Sequence, residues 1–227
     1  MIIESPMYGK INTNDLSKYI SEGRYYQVHK IDDSRVIKFE VVKKAIVHMF
    51  DKTNYNLFNI GTQLNGISMI PRVYEVANNP YYQIMEYIDG IKIADLANRP
   101  ILITYFSEDL NDRLGYYIDN KFDYENYVSQ VDKLFIGCIE RGFLPRDLHD
   151  ENILIDSKQN VWVVDLDQFQ KISIDRRLHY NYKDEEDYKT MLLHGKKIEK
   201  FTSNTNNFPK LFQTYIKGRR LTYGIKF

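Results

Sequence analysis

Three oxygen-bearing side chains at fixed spacing constrain this chain more than any other feature. The segment Gly142-Phe143-Leu144-Pro145-Arg146-Asp147-Leu148-His149-Asp150-Glu151-Asn152-Ile153-Leu154-Ile155 places a carboxylate, Asp147, five residues before an amide, Asn152, in a polar loop ahead of an apolar strand. A second carboxylate, Asp165, follows 18 residues after Asp147, directly behind Val161-Trp162-Val163-Val164. Two short strands joined by the turn Ser157-Lys158-Gln159-Asn160 form a hairpin, and a hairpin returns Asp165 to the neighbourhood of Asn152. Upstream, Tyr124, Tyr127, Val128, Val131, Leu134, Phe135, Cys138 and Ile139 recur at helical spacing, which predicts one buried helical face ended by Gly142.

Two carboxylates and an amide converging on one polar loop suit phosphoryl transfer from a nucleotide. One carboxylate orients or deprotonates an acceptor hydroxyl, while the other and the amide oxygen offer the hard oxygen ligands that Mg2+ requires beside phosphates. A lysine on a separate strand completes such a set by neutralising phosphate charge. Lys38 stands in the apolar run Val36-Ile37-Lys38-Phe39, where an ammonium is expensive to bury without an anionic partner.

The residues around these groups resemble the protein-kinase superfamily. Arg146-Asp147-Leu148 followed by Asn152 is similar to the catalytic loop of that superfamily, and Val36-Ile37-Lys38 is similar to its Val-Ala-Ile-Lys strand. Asp165-Leu166-Asp167 stands where the metal-binding Asp-Phe-Gly would be, and Met85-Glu86-Tyr87-Ile88 resembles a gatekeeper and hinge. Ser21-Glu22-Gly23-Arg24-Tyr25-Tyr26-Gln27-Val28 occupies the place of the glycine-rich loop. The resemblance covers residues 18 to 170. It implies an α+β, bilobal protein-kinase-like fold, with an antiparallel β N-lobe carrying one helix (residues 1–87) and a reduced, mainly helical C-lobe (residues 88–227). It implies ATP and Mg2+ as cofactors, Asp147 and Lys38 as catalytic groups and Asn152 and Asp165 as metal ligands. Gly23, Val28, Lys38, Glu86 and Ile88 would line the nucleotide. The acceptor expected is a serine or threonine of a protein. A small-molecule or atypical kinase and a nucleotide-binding pseudokinase scaffold are the alternatives.

The departures from the superfamily pattern bear on those alternatives. Gly23 is the one glycine in its loop, and a β-carbon at the other positions restricts the approach of backbone amides to phosphate. His149 sits where many Ser/Thr kinases have a lysine, which resembles kinases of the aminoglycoside and choline type. No Ala-Pro-Glu follows Asp165. Between Phe39 and Val73 the acids are Glu40 and Asp51, so either Asp51 takes the place of the usual helix glutamate or that pair is absent. Asp167 reads as a second metal ligand or as a replacement for glycine, with the replacement favoured. Asp187, in the run Asp184-Glu185-Glu186-Asp187, is a candidate brace for the catalytic loop.

The rest of the chain adds strand and helix signals. Tyr19-Ile20, Tyr26–Ile31 and Arg35–Phe39 alternate as an antiparallel meander, and Val73–Val76 with Tyr81–Tyr87 forms a hairpin about Asn78-Asn79-Pro80. Val42, Ala45, Ile46, Met49 and Phe50 predict a helix that runs out near Asn65-Gly66. Beyond Asp165 a few short helices are expected. Lys+Arg and Asp+Glu both number 31, so no global charge draws the chain to nucleic acid or membrane. The basic tail around Lys217-Gly218-Arg219-Arg220 reads as a charged surface, with docking of RNA, an anionic membrane or an acidic partner as the alternative. One cysteine, Cys138, excludes an internal disulfide and is assigned to packing. With no transmembrane run and no secretory leader, a cytoplasmic protein is expected.

Overall fold

The computed structural model describes residues 1–22, 26–40, 58–78, 81–94, 122–156, 158–173 and 180–203. Gly23, Asp51, the helix expected over Val42–Phe50 and the basic tail lie outside the described residues. The architecture is mixed α/β with antiparallel sheets and few helices, compatible with a kinase-like fold.

The meander and hairpin expected from the sequence join in one sheet. Strands β3 (Tyr19–Glu22), β4 (Tyr26–Asp32), β5 (Arg35–Glu40), β6 (Val73–Asn78) and β7 (Tyr81–Glu86) form five antiparallel strands in the order β3-β4-β5-β7-β6. The turn between β4 and β5 closes because the Asp32 carboxylate accepts from the Ser34 amide and hydroxyl, both at 2.9 Å. Side chains alternate across the sheet. Ile37, Phe39, Tyr82 and Ile84 face one way, into a core that they share with Ile3. Val36, Val73 and Met85 face the other, with Val28 against them, and Lys38 lies on that second face two residues beyond Val36.

Ile3 belongs to a hairpin not anticipated from the sequence, β1 (Ile2–Ser5) with β2 (Gly9–Asn12). It is tied to the sheet through Glu75, which accepts from Ser5 Oγ at 2.7 Å and from the Tyr82 hydroxyl. The hairpin covers the face of β5 remote from Lys38, which explains why the interior of that strand is buried on both sides.

The second core is larger and is built from three helices together with short strands and loops. Helix α1 (Phe58–Leu64) lies so close to β6 and β7 that a β-carbon on Gly61 would come within 2.6 Å of Val73 Cγ2. Ile60, Leu64, Ile67, Met69 and Ile70 then pack against the face of α2 (Tyr124–Glu140) that the periodicity singles out: Tyr127, Val131, Leu134, Phe135 and Cys138. The Asp123 side chain caps α2 by accepting from the Asn126 amide, and Gly142 leaves it at φ +82°.

Strand β9 (Phe143–Leu144) follows, and β12 (Gln170–Lys171) later pairs with it. The expected hairpin is β10 (Ile153–Asp156) with β11 (Val161–Val163), extended by β8 (Gly90–Lys92) into a sheet of order β11-β10-β8. Beyond it, among the described residues, the expectation of a few short helices needs correction over 180–203. A 3-10 turn, Tyr182–Asp184, leads into one helix of 18 residues, α3 (Glu186–Ser203). Tyr188, Met191 and Ile198 form its buried stripe, and Met191 O accepts from the Tyr127 hydroxyl at 2.9 Å. Among the described residues no helix is long and apolar enough to cross a membrane.

Candidate active site

The loop between β9 and β10 is fixed from three directions. The Leu148 side chain is buried in the helical core, and its amide donates to Asp187 Oδ1 at 2.9 Å. Arg146 Nη1 donates to Glu185 at 2.7 Å, with Asp187 Oδ2 at 3.5 Å, so the start of α3 grips both neighbours of Asp147. From the other side, the Ala94 amide donates to the Asp150 carbonyl at 3.1 Å. Asp187 therefore occupies the bracing position considered from the sequence, and Glu185 joins it.

Between these anchors Asp147 adopts φ +61°, in the left-handed region that costs an aspartate on the order of 1 kcal/mol. Asn152 supports that backbone by donating its Nδ2 to the Asp147 carbonyl at 3.0 Å. The contact uses the nitrogen end of the amide and keeps its oxygen for another partner. The Asp147 carboxylate is half-exposed, and His149 Nε2 lies 3.8 Å from its Oδ2.

The hairpin register supplies the next group. The Val164 amide donates to the Asn152 carbonyl at 3.0 Å, so the residue after Val164 emerges beside Asn152. That residue is Asp165. Lys38, 6% exposed on β5, reaches across with Nζ 3.0 Å from Asp165 Oδ1 and 2.9 Å from Asp167 Oδ2. The ring of Tyr26 flanks the ammonium at 4.9 Å. Leu166 and Phe169, both buried in the helical core, hold the Asp165–Asp167 turn in place, and the Asp167 amide donates back to Asp165 Oδ1 at 3.2 Å.

Electrostatics separate the two acids. Burial pushes the Asp165 carboxyl upward, but the charge of Lys38 and the hydrogen bonds outweigh it and leave Asp165 below the usual carboxylate range. Burial and the neighbouring Asp165 charge instead raise Asp167, despite the attraction of Lys38. Burial acts to lower the Lys38 ammonium, and the two carboxylates together overcome it and raise it. Asp167 is thus no passive stand-in for glycine: its side chain is the nearer of the two anions on Lys38.

The structure places the remaining expected residues as follows. Val28 pairs with Lys38 across β4 and β5 on the same face. The Glu86 amide donates to Arg72 O at 2.8 Å and its carboxylate accepts from the Arg72 amide at 3.1 Å, so that side chain braces the strand end. Ile88 O accepts from the Gly90 amide at 3.0 Å in the segment joining β7 to β8. Lys38, Asp165 and Asp167 are in contact, Asn152 adjoins Asp165 through the hairpin, and Asp147 is bonded to Asn152. Cys138 is buried, which pushes its thiol up to about 12 and makes it a packing residue.

Residues 54–184, more than half of the chain, match the ABC1 atypical kinase-like domain. The chain belongs to this family. No curated protein matches it. The matched span includes Asp147, Asn152, Asp165 and Asp167, and Lys38 joins them through the ion pairs described above. Membership of the ABC1 atypical kinase-like family carries, in general, kinase-like binding of ATP. Among the described residues no three His, Cys, Asp or Glu side chains form a metal cage. The oxygen donors present nonetheless fit Mg2+, which is ordinarily held by one or two carboxylates together with substrate phosphates. The acids here already face a cation, the ammonium of Lys38.

Proposed function

We propose that this ABC1-type chain transfers a phosphoryl group from ATP to a hydroxyl, with a protein serine or threonine as acceptor. The reading rests on one observation above the others: Lys38 and Asp165, 127 residues apart in sequence, meet at 3.0 Å beside the loop that carries Asp147 and Asn152. Bound Mg-ATP supplies the transferable group and compensation for its charge. Asn152 and Asp165 offer amide and carboxylate oxygens to Mg2+, and Lys38 meets phosphate oxygens. Asp147, half-exposed and held at a fixed backbone angle, orients the acceptor hydroxyl and takes its proton. Val28, Glu86 and Ile88, with Gly23, would border the nucleotide between an N-lobe of residues 1–87 and a C-lobe of residues 88–227. Sheet-borne cores on the side of Lys38 and a larger core on the side of Asp165 support two lobes, with Ile60, Leu64, Ile67, Met69 and Ile70 of the first span packed in the second core. The single cysteine, buried and unpaired, suits a reducing, cytoplasmic setting.

Transfer from labelled ATP, measured for the wild type, Asp147→Ala and Asp165→Ala, tests the assignment. Asp147→Ala is expected to lose about 10²- to 10⁴-fold, and Asp165→Ala at least as much. Equal turnover by wild type and Asp165→Ala overturns the metal role. The position of His149 beside Asp147 favours a second reading, a small-molecule acceptor. A metabolite panel run against a generic protein substrate separates the two. Thermal stabilisation by Mg-ATP without any transfer would identify a pseudokinase.

A further inference from the structure

Lys38 is a buried ammonium, and a buried ammonium without a fixed anion is strongly destabilising. Protein kinases meet that need with a helix glutamate, and the acids between Phe39 and Val73 are Glu40, which ends β5, and Asp51, which lies outside the described residues. Glu40, cross-strand from Tyr26, makes no ion pair with Lys38 among the described residues. The ammonium lies instead between Asp165 at 3.0 Å and Asp167 at 2.9 Å. Asp165 is the acid assigned to the metal, which leaves Asp167 free to hold the lysine when nucleotide and metal are in place. Leu166 and Phe169 are anchored in the core on either side of it, and the Phe169 amide donates to Leu166 O at 3.1 Å. The carboxylate is therefore set at a defined distance from β5, as a helix-borne glutamate would be.

We infer that Asp167 is the positioning residue for Lys38, taking over from the metal loop the role that a helix glutamate performs in other kinases. The inference rests on the phosphotransferase reading above but makes a separate claim about one ion pair. Lys38 and Asp167 are coupled in the protein before any nucleotide binds, and the coupling fixes where the ammonium stands when phosphate arrives. Among the described residues, a glycine at position 167 leaves the lysine with the metal-binding acid as its one anionic contact.

A double-mutant cycle on melting temperature, in the absence of nucleotide, reads the coupling directly. The proteins are wild type, Lys38→Met, Asp167→Asn and the double variant. With Lys38 gone, Asp165 and Asp167 face each other without a cation. Asp167→Asn is then expected to shift the melting temperature several degrees more favourably in the Lys38→Met background than in the wild type. Identical shifts in both backgrounds overturn the inference. The second readout is transfer from labelled ATP with the KM for ATP resolved from kcat. Asp167→Asn and Asp167→Gly are expected to lower kcat at least tenfold, and Asp167→Glu to recover most of it. Wild-type kcat in a folded Asp167→Gly protein overturns the positioning role while leaving the proposed function intact. Coupling in the cycle, with no transfer by any protein, refutes the proposed function and retains the ion pair.

Discussion

Asp187 holds the Leu148 amide at 2.9 Å, and Leu148 is itself 1% exposed, so nothing else stands ready to satisfy that donor. Leaving a buried amide without a partner costs about 1–3 kcal/mol. Asp187→Ala is therefore expected to lower stability by that order in a urea titration. It should also lower phosphoryl transfer more than tenfold, because Asp147 is the next residue back along the chain. Unchanged transfer with reduced stability would show that the brace serves the fold alone. Asp187 and Asp165 were both legible in the sequence, one as an acid near the start of a helix and one by its spacing behind an apolar strand. The part played by Asp167 was not. An acid in a glycine position looks like a simple replacement until the chain closes a contact across 129 residues, and no local pattern encodes which ammonium it will meet.

At the scale of elements, the β10–β11 turn depends on Asp156. Its carboxylate accepts from the amides of Lys158 and Asn160, from the Asn160 side chain and from Trp162 Nε1, at 2.8–3.0 Å. Burial raises this acid, but those donors outweigh it and hold its carboxyl below the ordinary value. A depressed folded-state value means that the stabilisation is complete above the ordinary aspartate pKa of about 4 and fades as pH falls through the folded value. Melting temperatures of wild type and Asp156→Asn should thus differ at pH 7 and converge on acidification. A constant gap from pH 7 to pH 2 would refute this.

Helix α3 offers a second test at this scale. A β-carbon on Gly195 would come within 2.6 Å of the buried Tyr127 ring, so Gly195→Ala should cost about 1–3 kcal/mol by overpacking, read from urea unfolding. The same glycine makes the segment read as short helices where one long helix forms: it interrupts the apolar stripe Tyr188, Met191, Ile198 with a residue that signals a break. Helix α2, whose stripe is unbroken, was legible over Tyr124 to Ile139 with its stop before Gly142, and its N-terminal boundary was not. The β1–β2 hairpin was not legible: β1 buries alternate residues, but these are Ile3 and the polar Ser5, and β2 is exposed apart from half-buried Ile11, so no apolar alternation shows.

Across the whole molecule, the candidate site draws Lys38 from the five-stranded sheet and Asp147, Asn152 and Asp165 from the helical core. The chain passes from one to the other through Gly90, whose backbone lies against β10. An added β-carbon there would stand 3.0 Å from Leu154 Cβ and 3.1 Å from the Ile155 carbonyl oxygen. Gly90→Ala is expected to lower the melting temperature and to reduce transfer together, since displacing β8 moves the strand that bears Asn152 away from the sheet that bears Lys38. Loss of stability at wild-type kcat would show that the two halves keep their alignment without β8.

Trp162 is the sole tryptophan of the chain, and its indole N–H is bonded to Asp156 at 3.0 Å, on the strand that ends at Val163, two residues before Asp165. The protein thus has a built-in optical gauge. Every photon of indole emission comes from the hairpin that adjoins the site, so ligand titrations can be followed in the unlabelled protein by exciting at the red edge of the indole band, where the 19 tyrosines do not absorb.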